Sequence, residues 1–329
     1  MSSIPTTVPA VDTEAPGDTS TGRGRRKAPR SERARAEARL GWWLAGPAFF
    51  IMVAVIFYPV LQAFWDSLFS YRLTAPEERE FVGLSNYGVI FSDPVFWSAL
   101  GVTTLITVVT VFVELILGFI LAMVMHKAIK STRGLVRTVI LVPYGIITVV
   151  SAFAWYYMFS IDSGYINNWF SWVPGFDGQL NWFAQGGSAL FVIMFSEIWK
   201  TTPFISLLLL AGLAQVPDDL SEAAAVDGAS WWQRLWRVIL PNMKAAIMVA
   251  VLFRALDAFR VFDSIFIMTN GAYGTEVLSL LAYRTSIGRL EIGLGSAISV
   301  VLFLLVGLLA LIAVKGFNVD LAGGRGGRK

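Results

Sequence analysis

Seven ionisable side chains interrupt otherwise apolar runs of this 329-residue chain: Glu114, Glu197, Lys200, Arg254, Asp257, Arg260 and Asp263. Charges in such runs are costly and mark either a packed interior or a wet cavity. Three kinds of chemistry are open to them: pairing with one another, relaying protons, or hydrogen bonding to a hydroxyl-rich ligand. Arg254, Asp257, Arg260 and Asp263 recur every three residues with alternating sign, a spacing at which helix neighbours pair, and this favours pairing over proton transfer. Glu197 and Lys200 repeat the spacing, while Glu114 is a third buried acid with no partner identified from sequence. Two readings stay open. The charges lock helices together, or some of them line a cavity together with nearby hydroxyl and aromatic groups: Tyr156, Tyr157, Glu197, Trp199, Lys200, Thr202, Asp257, Arg260 and Asp263. Hydrolytic chemistry has little to start from. The chain has no cysteine and one histidine, His126, beside Lys127, so thiolate and histidine metal clusters are absent and a His-based triad is disfavoured.

The elements that position these groups follow from composition. Hydrophobic residues make up 56% and charged residues 15% of the chain, with a mean hydropathy of +0.64, a surface no soluble domain of this length tolerates. Six apolar stretches, near 43–70, 98–125, 135–159, 189–213, 244–269 and 293–315, are long enough for the roughly 20 residues a helix needs to cross a bilayer core. Lipid cannot satisfy exposed backbone groups, so each is expected to be helical. The fold class is an all-α membrane protein, a six-transmembrane-helix bundle. At about 1.5 Å rise per residue, Lys200 and Arg254 fall near mid-membrane, and Pro203 is expected to kink its span. Residues 1–39, rich in Ser, Pro, Gly and Arg, predict a disordered basic tail, and 319–329 a Gly/Arg-rich one.

Basic residues orient the bundle. With both termini cytoplasmic, inner segments hold 19 of the 26 Lys and Arg residues, and the outer loops near 71–97, 160–188 and 270–292 hold only Arg72, Arg79, Arg284 and Arg289, which favours N-in, C-in. Trp169, Trp172 and Trp182 in the outer loops suit an interfacial belt or a surface that meets an external partner.

One cytoplasmic segment, 216–241, stands out. Pro217 followed by Asp218 and Asp219 is a helix start with acids at the positive end of the dipole. Gly228 supplies a left-handed stop, and Ser230 with Gln233 forms the S-x-x-Q capping pattern of a second, amphipathic helix bearing Trp231, Trp232, Leu235 and Trp236. Pro241 then separates that helix from the fifth span. Alanines after Glu222 let the first helix lie close in a groove of another protein.

This segment resembles the coupling loop of ABC importer permeases, matching at Glu222, Ala223, Ala224, Gly228, Ile239, Leu240 and Pro241. The resemblance runs from about Leu40 to Lys315 across the maltose-type carbohydrate permeases. WKTTPFISLLLLAGL (199–213), LFRALDAFRVFDSIFIMTNG (252–271) and GLGSAISV (293–300) look most similar to trehalose permeases of that family. It implies a type I permease domain over 40–318 in a bacterial plasma membrane. The ATPase-coupling residues would be Glu222, Ala223, Ala224, Asp227, Gly228, Leu240 and Pro241. Its implied partners are a second homologous permease, two copies of an ATPase subunit that binds ATP and Mg, an external sugar-binding lipoprotein and membrane lipid, with no nucleic acid. The chain itself would bind no cofactor and be no enzyme, in keeping with its lack of a G-x-x-x-x-G-K-[ST] loop. The cargo implied is trehalose or a related disaccharide, with maltose, other oligosaccharides, polyols and glycerol phosphate as alternatives. An ion-coupled secondary transporter or channel is the alternative of a different class, and it leaves segment 216–241 unexplained. One departure from the family is the run Thr269, Asn270, Gly271, Ala272 where many members carry Thr-x-Gly-Gly-Pro.

Overall fold

The computed structural model describes residues 32–128, 131–162, 164–173 and 180–316. Most of the basic tail, 1–31, and the C-terminal stretch 317–329 lie outside the described residues. The chain divides into two units, Met1–Tyr58 and Pro59–Lys329. The first unit contains most of α1 (Glu32–Asp66). Its opening turns, expected to belong to the tail, are helical because Ala, Arg and Glu, all strong helix formers, fill the sequence from Glu32 to Arg39. Within that unit Trp42 meets Phe49 edge-on at 6.4 Å, and Trp43, Leu44 and Phe50 are exposed.

In the second unit α1 stops at Asp66 instead of reaching residue 70, since Phe69–Ser70 (β1) pairs antiparallel with Glu80–Phe81 (β2). Asp66 accepts from Arg79 at 2.7 Å across this hairpin. After α2 (Ser85–Ser92), α3 (Pro94–Lys127) starts with Pro94 in its first turn and the Asp93 carboxylate accepting the Val95 N–H. The third expected span is not one helix. It is α4 (Arg133–Gly145) and α5 (Thr148–Phe159), because Pro143 has no N–H to extend the ladder and Ile146 leaves the helix at φ −81°, ψ 133°. A one-turn α6 (Ile166–Trp169) precedes α7 (Gly186–Leu213), which runs on through Pro203.

Next come α8 (Asp218–Val226), α9 (Trp231–Arg234), a π-helical turn over Leu235–Ile239, and α10 (Leu240–Asn242). The fifth expected span is likewise a pair, α11 (Lys244–Ala258) and α12 (Asp263–Met268). The Arg260 and Val261 N–H groups turn back to the Asp257 and Ala258 carbonyls, the tightened last turn that closes a helix. Asp263 then starts α12 with an acid at the positive dipole end. The outer loop expected at 270–292 folds back instead. Its α13 (Leu278–Tyr283) buries Leu278, Leu280 and Leu281, and the Leu278 N–H donates to Thr103 Oγ1 of α3 at 3.0 Å. Six residues are too short to cross a bilayer. A second π-turn, Arg284–Gly288, leads to α14 (Ile292–Gly316).

Among the described residues, four helices are long and apolar enough to cross a membrane: the Arg39–Asp66 part of α1, and α3, α7 and α14. α3 lies along α7, and at Gly118 a methyl group would sit 2.8 Å from Ile205 Cγ2, the close approach that small residues allow between membrane helices. Two apolar clusters cap this contact. One holds Ala122, Met125, Ile205 and Leu209, the other Ile106, Ile193, Ile265 and Leu280. The charged residues fall between them.

Candidate functional site

Helix breaks and buried charges meet at one place. Tyr144 and Thr148 flank the gap between α4 and α5, and the gap between α11 and α12 presents Arg260, Val261 and Phe262. With Glu197, Lys200, Thr201, Arg254, Asp257 and Asp263 they line a cavity of about 250 Å³. Broken backbone at membrane depth persists only where protein buries it or where it lines a wet cavity. Both breaks satisfy that condition here.

Arg254 organises the cavity wall. Its side chain is 3% exposed, and its Nε and Nη2 donate to Glu114 Oε2 and Oε1 at 2.6 and 3.0 Å. Its Nη1 donates to Asp257 Oδ2 at 2.9 Å, and Glu197 Oε2 stands 3.6 Å from Nη2. Thr201 Oγ1 donates to Glu114 Oε1 at 2.7 Å and Ser264 Oγ to Glu197 Oε1 at 2.6 Å. The fork thus ties α3, α7, α11 and α12 together, and Glu114 finds the partner its sequence context left open. For a carboxylate buried this way, the bidentate guanidinium takes the place of lost water.

The other charges are less committed. Asp257 is 68% exposed at its side chain despite the Arg254 contact. Arg260 donates its Nε only to the Leu256 carbonyl, at 3.2 Å, and Lys200 and Asp263 make no ion pair among the described residues. The regular three-residue pairing read from the sequence therefore holds for Arg254 and Asp257 and fails beyond them, because the helix ends at Ala258.

Of the residues expected to line a cavity, Glu197, Lys200, Asp257, Arg260 and Asp263 come together. Tyr156, Tyr157, Trp199 and Thr202 do not. Tyr156 packs on Phe183 with centroids 5.0 Å apart, Tyr157 is 58% exposed, and Trp199 meets Trp155 edge-on. Thr202 Oγ1 is spent on the Ile198 carbonyl. The aromatic faces at the cavity are Tyr144 and Phe262 instead, both placed by the breaks that sequence reading did not foresee. The Pro143-Tyr144-Gly145 run inside an apolar stretch is the signal that marks the first of them.

A second feature projects from the bundle. α8 buries none of its residues, and Glu222, Ala223, Asp227 and Gly228 are all exposed, with Ala224 half-buried. Its end is a Schellman motif. Gly228 takes φ +82°, its N–H donates to the Ala225 carbonyl at 3.1 Å, and the Ala229 N–H reaches the Ala224 carbonyl at 2.9 Å. Ser230 and Gln233 then exchange both bonds of a capping box, at 2.7 and 3.4 Å. The amphipathic second helix expected here lasts one turn. It widens into the π-turn before Leu240 and Pro241, with Leu235 buried and Trp231, Trp232 and Trp236 exposed. Pro241, which has no N–H to donate back to Arg237, fits that loss of α-helical register.

A polytopic helical bundle whose span breaks and charges converge on one polar cavity, with a capped helix pair projecting at one end, is the architecture of a transport permease. Residues 114–319 match the family described as binding-protein-dependent transport system inner membrane component, and the chain belongs to it. It is a permease subunit of the ABC importer type, an inner membrane protein and a transport component without enzyme activity of its own. The chain is 48% identical over 289 residues to the trehalose transport system permease protein SugA of Mycobacterium tuberculosis, spanning 88% of this chain and 92% of that one. It is 39% identical over 282 residues to the trehalose/maltose transport system permease protein MalF of Thermococcus litoralis, covering 85% and 94% of the two. The fold matches a chain of a bacterial alginate ABC transporter solved with its alginate-bound periplasmic protein, at a TM-score of 0.76 and 21% identity over 88% of this chain and 98% of that one.

Proposed function

We propose that the chain is one of two permeases in an ATP-driven importer of trehalose or a related disaccharide, with both termini cytoplasmic. The observation that carries the reading is the convergence of both span breaks on the cavity bounded by Glu197, Lys200, Asp257, Arg260 and Asp263. A sugar offers many hydroxyls, each able to donate and accept. Asp263 as acceptor, with Lys200 and Arg260 as donors, answers both roles, and Tyr144 and Phe262 offer faces for the ring. The high identity to a trehalose permease supports the choice of cargo.

Energy enters elsewhere. The exposed α8, with Glu222, Ala223, Ala224, Asp227 and Gly228, seats in a cleft of an ATPase partner that binds ATP and Mg, while Leu240 and Pro241 transmit its movement to α11. A second permease completes the pathway, and an external binding protein delivers the sugar. Residues 40–318 form the permease domain and 216–241 its coupling loop. Reconstituting the assembled complex with its binding protein tests this. Trehalose is expected to stimulate ATP hydrolysis. Stimulation only by another sugar overturns the cargo, and uptake that persists after ATP depletion overturns the class.

A further inference from the structure

We propose that this chain holds an anionic phospholipid of the cytoplasmic leaflet in the groove between α3, α4 and the Trp231–Leu240 segment. The assignment to that leaflet rests on the topology proposed above. The groove is a cavity of about 910 Å³, walled by apolar side chains such as Phe119 and Met123 of α3, Val136 of α4, and Trp232 and Trp236. Among the described residues of the second unit, none fills it. Its size falls within the range of cavities that hold small ligands, and its walls offer an acyl chain the environment of the membrane core.

The mouth of the groove is what selects the occupant. Met123, Lys127 and Trp231 line both the groove and an adjoining cavity of about 200 Å³ that also contains His126 and Arg234. The apolar space therefore opens into a basic one. Arg234 Nε is buried and donates to nothing, and the same holds for the Nε of Arg133 and of Arg137 on the first turns of α4. One carboxylate, Asp218, lines the small cavity, yet it forms no ion pair with Lys127 or Arg234 among the described residues. Arg133 gives Nη2 to the His126 carbonyl at 3.3 Å, which fixes the guanidinium beside Lys127 without neutralising it. Unpaired cations around the end of an apolar groove, flanked by tryptophans, match a lipid phosphate with its chain extended inward. A neutral protein helix would leave those cations unanswered.

The test compares the full-length chain, purified in mild detergent, with the K127Q/R234Q variant. Native mass spectrometry is run while phosphatidylglycerol or phosphatidylcholine is titrated in. The wild type is expected to retain phosphatidylglycerol in preference to phosphatidylcholine, and the variant to lose about five-fold of that preference for each charge removed. Equal binding of the two lipids by the wild type, or an unchanged preference in a variant whose thermal unfolding matches wild type, overturns the proposal. A photoreactive residue in place of Trp232, activated in native membranes, gives an independent readout. A lipid adduct supports the assignment, while an adduct to another polypeptide shows the groove to be a protein interface and overturns it. Loss of sugar uptake with lipid retention intact would count against the transport reading alone.

Discussion

Arg254 answers to three carboxylates at once, and its burial makes the answer obligatory. Removing the guanidinium in R254M strands Glu114 in the bundle interior, at a cost of about 3–5 kcal/mol. The expected result is a much lower unfolding temperature in detergent. The double variant E114L/R254M removes both charges and is expected to recover most of that loss, since a well-packed apolar pair replaces a buried ion pair without great penalty. Lys200 and Asp263 belong to a different category. They line the cavity without a paired charge, so K200Q and D263N are expected to leave thermal unfolding nearly unchanged and to raise the half-saturation of sugar uptake about ten-fold, the loss of one charge-assisted hydrogen bond. Sequence alone identified all these residues as interesting but could not sort them. The sorting needs the distance between Glu114 and Arg254, which lie 140 positions apart in the chain.

At the scale of elements, the α8 to α9 connection is specified by a Schellman motif followed at once by a capping box. Gly228 sits at φ +82° with open space where a side chain would go, so only conformation restricts it. A β-branched residue there costs about 1–2 kcal/mol and opposes the turn. G228V is therefore expected to reduce sugar-stimulated ATP hydrolysis and co-purification of the ATPase, whereas G228N, which tolerates the left-handed region, keeps most of both. E222K is expected to lose the ATPase in the same pull-down without affecting the yield of the permease. These caps were legible from sequence because capping is local chemistry, readable within about four residues. The breaks in α4–α5 and α11–α12 were not. A hydropathy window averages over Pro143 at the first break and over Asp257, Arg260 and Asp263 at the second, so it merges each pair of helices into one span. Buried α13 escaped because a six-residue, mostly apolar stretch between turns looks like a loop until Thr103 of α3 is there to receive the Leu278 N–H.

For the whole molecule, topology is the prediction with the cleanest test. The chain contains no cysteine, so a single introduced thiol has no background. With a membrane-impermeant maleimide, E77C is expected to label in intact cells and A225C only after permeabilisation. The opposite pattern would invert the bundle and move the lipid groove to the other leaflet. Composition carried the membrane assignment at this scale, because partition between water and lipid is a sum over many residues and survives local errors. The two interrupted spans have one more effect on how the protein can be studied. Each helix end leaves main-chain carbonyls outside the ladder that an intact helix would keep, and Arg260, Val261 and Phe262 of the second gap line the cavity with Lys200 and Asp263. On the transport reading proposed above, part of the recognition of a sugar then belongs to peptide groups that every amino acid shares. An alanine scan of the cavity would leave that part untouched, and the residual transport it reports would measure the contribution of the backbone.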